Sequence, residues 1–328
     1  MLRNFRPILS SIAILGSTLL ASAEAQAQDF RMGLITPPGN VWTNHAEEFA
    51  TLLAERSEGR MSVTVFPAGQ LGNEAEMVQQ LQTGALDFAF LTGAEISNRV
   101  PEFGTLLTPF LVSNAEQGAA VVRSETAQSM LDLLPAEMGV VGVGIALSSL
   151  RQMMFVNEID DVADMSGLRM RITPLQVSQD FYRILGVSPT PMPLTDVFDA
   201  LANGLVDAVD IELALMLQLR LNERARQVLM SNHQIWPSVG VVSGPVYGRM
   251  AQEDRDMITS VMKEVLERFT QYVVVDEVTS LETLRATGIK VTEVDAEFFG
   301  DAVDQWNDKW SEYAPLIDQL RAEIEAAE

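Results

Sequence analysis

The stretch between Gly167 and Asp210 constrains the fold more than any other part of the chain, because two strand–helix units follow each other there. Charged and apolar residues alternate from Arg169 to Ile172, which predicts a strand. A helix is expected from about Leu175 to Leu185, ending at Gly186, since glycine is favoured just beyond a helix C-terminus. This succession indicates an α/β fold.

The second unit of this stretch begins with an extended segment from Pro189 to Pro193, because proline fixes φ and disfavours helix in the preceding residue. Thr195 is predicted to cap the next helix, and Asn203-Gly204 ends it. Leu205 to Ile211 is expected to form a short buried strand.

Strands and helices are predicted to alternate along the rest of the chain as well. The expected strands lie near residues 30–35, 62–66, 86–91, 140–147, 151–156, 227–229, 239–243 and 289–294. The expected helices lie near residues 44–57, 73–83, 115–134, 250–286, 298–312 and 316–327. The segment 250–286 contains no proline or glycine and is long for one globular helix.

A weak internal repeat suggests two similar lobes. The pattern L-x-x-G-x-[LV]-D occurs at residues 81–87 and again at 201–207. Each copy contains a helix end, a capping glycine and the start of a buried strand. Chance can produce such a match, but two α/β lobes with a cleft between them explain it better.

Residues 1–27 are predicted to be a secretory signal peptide. Arg3 and Arg6 precede an apolar run from Ile8 to Leu20, and residues 25–27 form a small-x-small cleavage site. The alternative, a membrane anchor, would need ~20 apolar residues. The mature protein is therefore expected to begin near Gln28. Because the chain has no cysteine, neither a disulfide nor a lipid on an N-terminal cysteine is expected.

Charge and residue types exclude several functions. A formal net charge of −23 argues against nucleic-acid binding, which needs a basic surface. The sequence has no cysteine nucleophile, and its two histidines, His45 and His233, are far apart. The run Asp207, Asp210 and Glu212 offers too few oxygen ligands for calcium, so solvated or hydrogen-bonded strand ends are expected there. We predict no cofactor and no metal.

Three linked blocks carry a resemblance to a known family. They are Gly167 to Arg171, then Leu185-Gly186 with Pro189 and Met192, then Ala200 to Asp207. The chain resembles the substrate-binding proteins of tripartite ATP-independent periplasmic (TRAP) transporters, of the DctP type.

The resemblance implies a two-lobed α/β periplasmic binding protein of the class II-like kind. Mixed sheets flanked by helices, a ligand cleft between the lobes and a long helix spanning both lobes are expected. Lobe I would contain residues 28–148 and 237–276. Lobe II would contain residues 149–236 and 277–328.

The resemblance also implies that Arg171 binds a ligand carboxylate. Guanidinium is planar and permanently charged, and it meets a carboxylate with two parallel hydrogen bonds. The alternative for Arg171 is a structural salt bridge. Arg151 is expected to be a second ligand contact, the alternative being a surface arginine, and Arg169 is expected to be solvated or paired at a surface.

Four further positions carry over from the family as ligand contacts: Glu74, Thr92, Leu194 and Ile211. Ile211 is a departure, because many members have a hydrogen-bonding asparagine at that position. A small or apolar carboxylate is therefore expected in preference to a polar sugar acid.

The implied function is capture of a small organic acid in the periplasm and its delivery to the membrane subunits of a TRAP transporter. Such a protein is neither an enzyme nor itself embedded in the membrane. Two alternatives remain at this point. One is a binding protein of an ATP-driven importer, and the other is a periplasmic enzyme acting on a carboxylate.

Overall fold

The computed structural model describes residues 28–327, so the predicted signal peptide lies outside the described residues. The strands are β1 (Gln28–Gly33), β2 (Met61–Phe66), β3 (Phe88–Thr92), β4 (Val140–Leu150), β5 (Gln152–Phe155), β6 (Arg169–Ile172), β7 (Ser188–Pro191), β8 (Ala208–Ile211), β9 (Gln227–Met230), β10 (Ile235–Ser243) and β11 (Lys290–Glu293). The helices are α1 (Val41–Arg56), α2 (Glu74–Thr83), α3 (Gly93–Ser97), α4 (Ala115–Arg123), α5 (Glu125–Ser129), α6 (Leu134–Met138), α7 (Gln176–Ile184), α8 (Val197–Ala202), α9 (Leu213–Gln218), α10 (Gly244–Arg249), α11 (Gln252–Ala286), α12 (Ala302–Lys309) and α13 (Ala314–Ala327).

The strands form two mixed sheets, and each sheet is the centre of one lobe. The first lobe has five strands in the order β2-β1-β3-β10-β4, and the second has six in the order β11-β9-β5-β8-β6-β7. In the first sheet β10 runs antiparallel to β3 and β4, and in the second β5 runs antiparallel to β8 and β9. This architecture confirms the predicted fold class.

Two short passages between strands connect the lobes. Strand β4 ends at Leu150 in the first sheet and β5 begins at Gln152 in the second, so Arg151 alone lies between them. The chain returns between Met230, the end of β9, and Ile235, the start of β10. Both passages lie at the base of the cleft, where a hinge would have to be.

The helix α11 joins the lobes along one side. Its 35 residues span about 52 Å at 1.5 Å per residue, and it packs against β4 in the first lobe and α9 in the second. A side chain at Gly240 would place its Cβ 2.8 Å from Met262 Sδ, so glycine permits this close packing of helix on sheet. The expected lobe-spanning helix is confirmed. No helix in residues 28–327, α11 included, is long and apolar enough to cross a membrane.

The weak internal repeat corresponds to equivalent structure in the two lobes. Asp87 accepts a hydrogen bond from the backbone N–H of Arg31 on β1 (2.8 Å), and Asp207 accepts one from Arg169 on β6 (3.0 Å). Each acid therefore fixes the neighbouring strand in its own sheet. The glycine of each copy, Gly84 or Gly204, has a positive φ.

One local prediction was wrong and another was incomplete. Residues 115–134 form the expected helical region, but it is divided, because Ser124 is extended and its side chain caps α5. Thr195 does not cap a helix: it lies in a 3₁₀ turn, its hydroxyl donates to Asp196, and α8 begins at Val197 without a side-chain cap. The preceding extended prolines delay the start of the helix.

The end of the chain also differs from the predicted lobe division. Helix α13 packs against α4 and α5 of the first lobe, and Thr126 Oγ1 donates to Glu323 at 2.7 Å. Helix α12, by contrast, packs against α7 of the second lobe. Helix α13, with its buried Ile317 and Leu320, therefore packs on the first lobe, whereas residues 277–328 were assigned to lobe II.

Candidate functional site

A cavity of about 210 Å³ lies between the two lobes. Its walls come largely from residues at the carboxyl ends of strands. These are Ile35 and Thr36 after β1, Thr92 at the end of β3, Thr173 after β6 and Glu212 after β8. Ligands of open α/β proteins bind beyond the carboxyl ends of the strands, and here two sheets present those ends to one space.

The lobes touch across the mouth of this cavity. Gln218 Nε2 donates to the Pro38 carbonyl oxygen and Asn40 Nδ2 donates to Gln218 Oε1, each at 3.1 Å. On another edge Asn98 Nδ2 donates to the Pro174 carbonyl oxygen at 3.0 Å. These contacts join residues of different lobes, so the structure represents a closed conformation.

The guanidinium of Arg151 is paired with two carboxylates of the protein. It donates to the carboxylates of Asp210 and Glu212, and its Nη2 donates to the Asp210 carbonyl oxygen at 2.5 Å. It also lies 4.1 Å from the ring centre of Trp236, whose face attracts a cation. Burial alone lowers the pKa of Arg151, but the two carboxylates outweigh burial and raise it. Arg151 lines the cavity and is only 2% exposed, so it is not the surface arginine of the alternative.

Asp210 is the centre of this buried network. Its Oδ2 accepts from Tyr182 Oη at 2.8 Å and lies 3.4 Å from His233 Nε2. Burial would raise the pKa of Asp210, but Arg151, His233 and Tyr182 together hold it well below its usual value. Burial and the neighbouring carboxylate raise the pKa of Tyr182, which stays a neutral donor. The expected hydrogen-bonded strand ends are confirmed, and no group of acids or histidines in residues 28–327 is arranged to hold a metal ion.

Arg171 lies beside this network, but no residue in 28–327 forms an ion pair with it. Within that part of the chain its Nη1 and Nη2 donate to the carbonyl oxygens of Asp210 (3.1 Å) and Met192 (3.0 Å), and its Nε has no hydrogen-bond partner. The side chain is 2% exposed and lines the cavity. Burial and the charge of Arg151 lower the pKa of Arg171 to about 10. The salt bridge of the alternative is not formed within residues 28–327, and a buried charge without a partner favours binding of an anion.

Arg169, two residues earlier on β6, behaves differently. It forms an ion pair with Asp207, with Nη2 and Oδ1 2.6 Å apart, and both side chains are substantially exposed. The prediction of surface pairing is confirmed. Of these two arginines on one strand, Arg169 is therefore exposed and Arg171 is buried.

Glu74 and Thr92 lie together on the wall formed by the first lobe. The backbone N–H of Thr92 donates to Glu74 Oε1 at 2.6 Å and its hydroxyl to Oε2 at 2.9 Å. Burial raises the pKa of Glu74 to about 8, although these hydrogen bonds oppose the shift and Glu95 adds to it. Glu74 is therefore largely protonated at neutral pH in this conformation.

The raised pKa of Glu74 predicts a pH-dependent loss of stability. Between pH 4.5 and about 8 the folded protein holds a proton that the unfolded chain releases. Stability should therefore fall as the pH rises through this window, by at most about 1.4 kcal/mol per pH unit, and level off above it. We expect Glu74→Gln to flatten the dependence of melting temperature on pH between 5 and 8. Part of the slope should remain, because burial also raises the pKa of Glu277 to about 7. An unaltered profile in Glu74→Gln would contradict the prediction.

The structure brings five of the six predicted ligand contacts to the cavity wall: Arg171, Arg151, Glu74, Thr92 and Leu194. Ile211 is not among the lining residues. It is completely buried in an apolar cluster with Val209 and Met154. Because side chains alternate along a strand, Ile211 faces away from Asp210, and it is Glu212, one residue on, that reaches the cavity. Binding of a ligand by the five residues remains a prediction.

The buried position of Ile211 changes what its substitution should do. In Ile211→Asn an amide would be buried without partners, which costs about 1–3 kcal/mol of stability. We expect a lower urea midpoint and an affinity for the ligand that stays within a few-fold of the original. Weaker binding with an unchanged midpoint would instead place Ile211 in the site.

Several residues of the site were not predicted from sequence. Trp236 and Trp42 form aromatic walls, and Tyr182 and His233 support Asp210. The role of His233 depends on contacts with residues far away in the chain, and no spacing pattern indicates them.

The two lobes, the hinge passages and the buried cleft define a class: solute-binding proteins that close over their ligand. The chain belongs to the bacterial extracellular solute-binding proteins of family 7, the DctP family, whose sequence pattern matches residues 32–315. The resemblance seen in the three sequence blocks is thereby confirmed.

Individual relatives share almost the whole chain. The sialic acid-binding periplasmic protein SiaP of Vibrio cholerae is 25% identical over 293 residues, which cover 89% of this chain and 91% of SiaP. A solute-binding protein of Roseobacter denitrificans is 24% identical over 327 residues, or 98% of this chain and 100% of the relative.

Solved structures agree with the fold. A TRAP periplasmic solute-binding protein from Bordetella, with density assigned to pantoate, superposes with a TM-score of 0.84 at 26% identity, covering 90% of this chain and 98% of that one. A Bradyrhizobium homologue in complex with galacturonate has a TM-score of 0.82 at 26% identity, covering 91% and 100%.

Proposed function

We propose that this protein captures a small organic carboxylate in the periplasm and delivers it to the membrane subunits of a TRAP transporter. One observation carries the proposal: Arg171 is a buried cation in a closed cleft, without a carboxylate partner in residues 28–327. A ligand carboxylate would supply the missing counter-charge and accept a hydrogen bond from the free Nε. The relatives named above are described with sialic acid, pantoate and galacturonate, all of them acids.

The ligand contacts belong to this proposal. Arg171 would hold the carboxylate, with Arg151 maintaining a positive potential beside it. Glu74, Thr92 and Leu194 would contact the remainder of the ligand from the two walls. In a TRAP transporter the energy for transport would come from an ion gradient acting on the membrane subunits.

A thermal-shift screen across organic acids tests the capture of a carboxylate. A ligand present at 100 times its Kd stabilises the folded state by about 2.7 kcal/mol, which is well within detection. Calorimetric titration then gives the affinity of each acid that raises the melting temperature. If no acid raises it, the proposal is wrong. Uptake in vesicles containing the membrane subunits tests delivery: it should need this protein and an ion gradient, whereas a requirement for ATP would indicate an ATP-driven importer.

Closure of the lobes should be visible in solution. The inter-lobe hydrogen bonds of Gln218 can form only when the cleft is shut, and without ligand the charge of Arg171 favours an open, hydrated cleft. We expect small-angle scattering to show a smaller radius of gyration when the acid found in the screen is added to saturation. Gln218→Ala should bind more weakly because its closed form is less stable. An identical radius with and without ligand would count against a hinge.

A further inference from the structure

We infer that the ligand is a monocarboxylate, and that the cleft rejects acids whose second carboxylate would reach the first lobe. The inference rests on the proposed function and goes further by naming the class of acid. It follows from the distribution of charge between the two walls of the cavity.

All positive charge in the cavity lies on one side. Among the lining residues of the described chain, the cations are Arg151 and Arg171, at the hinge and in the second lobe. Arg151 is already shared by Asp210 and Glu212. One cation, Arg171, is thus free for a ligand, and it can balance one carboxylate.

The described residues that line the cavity from the first lobe include acids and no cation. Its ionisable residues at the cavity are Glu74 and Glu95, and no lysine, arginine or histidine of this lobe is among the residues that line the described cavity. Glu95 is paired with Arg99, which lies outside the cavity lining. The hydroxyl of Thr92 already donates to Glu74, and that of Thr36 is bonded to Thr43.

A second carboxylate placed against this wall would lose its hydration and meet no cation. It would also approach the carboxylate of Glu95, and like charges at short range repel in a closed, water-poor space. Glu74, which is largely protonated at neutral pH, supplies no positive charge to balance it. An apolar end fits beside Ile35 and Trp42, and a hydroxyl end can donate to a glutamate oxygen, so neither incurs this cost.

Matched acids that differ only at the far end test the inference. Titration calorimetry at pH 7.5 would compare butanoate, 4-hydroxybutanoate and succinate, and then hexanoate, 6-hydroxyhexanoate and adipate. We expect the best monocarboxylate of each length to bind at least tenfold more tightly than the dicarboxylate. In Glu95→Gln the ratio should shrink, whereas in Glu116→Gln, which removes an exposed glutamate of the same lobe, it should stay the same.

The outcomes separate the two proposals. A dicarboxylate that binds as tightly as its monocarboxylate partner, and whose binding is lost in Arg171→Ala, would overturn the monocarboxylate inference and leave the proposed function intact. A different outcome is that no acid, in this series or in the wider screen, shows binding that Arg171→Ala weakens. In that case both the proposed function and the monocarboxylate inference are wrong.

Discussion

Arg171→Ala is expected to weaken binding of the carboxylate by roughly thirty-fold to several thousand-fold. Loss of one member of a buried, hydrogen-bonded charge pair costs about 2–5 kcal/mol, at about 1.4 kcal/mol per factor of ten. Arg171→Lys should also bind poorly, because an ammonium cannot reproduce the two parallel hydrogen bonds of a guanidinium. Titration calorimetry on both variants measures the loss.

The stability of the same variants distinguishes a binding role from a structural one. The closed structure buries Arg171 with two carbonyl partners. We expect Arg171→Ala to cost about 1–3 kcal/mol of stability, because two carbonyl oxygens lose a donor, and to remain folded. Arg169→Ala is the matched control, because it removes an exposed arginine from the same strand and should leave affinity unchanged. Near-normal affinity in a stable Arg171→Ala would contradict this role, and Arg151 would then be the candidate for binding the ligand carboxylate.

Asp210→Asn is expected to cost about 3–5 kcal/mol of stability, the range found when a buried ion pair loses one partner. Arg151 would keep Glu212 but lose its second carboxylate, and Tyr182 would lose a charged acceptor. Urea unfolding monitored by tryptophan fluorescence gives the free energy of unfolding. Asp207→Asn is the matched control: its ion pair with Arg169 is exposed, and such pairs contribute about 0–1 kcal/mol.

The pH dependence provides a second readout for Asp210. Its pKa is lowered in the folded protein from an ordinary value of 3.8. The stability that its carboxylate contributes is therefore present above about pH 4 and is lost as the pH falls below it. Asp210→Asn should reduce the steepness of acid unfolding. Equal losses of stability in Asp210→Asn and Asp207→Asn, with equal acid profiles, would contradict the prediction. The buried ion pair of Asp210 would then contribute no more to the free energy of unfolding than the exposed pair of Asp207.

Local sequence determined most of the secondary structure. The alternation from Arg169 to Ile172 became β6, the uninterrupted pattern near residues 250–286 became α11, and the repeated L-x-x-G-x-[LV]-D units became equivalent turns in two lobes. Such features depend on side-chain periodicity and on backbone conformations that glycine adopts easily. They require only neighbours in the chain, so they can be predicted without knowing the fold. The weakest predictions, at Thr195 and over residues 115–134, concerned where helices begin and end.

The tertiary structure alone decided which residues the site uses and in what state. Arg151, Arg169 and Arg171 are all strand arginines in sequence, yet one is held by two buried carboxylates, one is paired at the surface and one has no carboxylate partner within residues 28–327. Their partners lie far along the chain, and Coulomb attraction in a dry interior depends on distance and burial. In the same way, Ile211 entered the core because of the side on which β8 presents it. The sequence by itself determined the two-lobed α/β frame, and only the packing of the lobes determined which cation was left for the ligand.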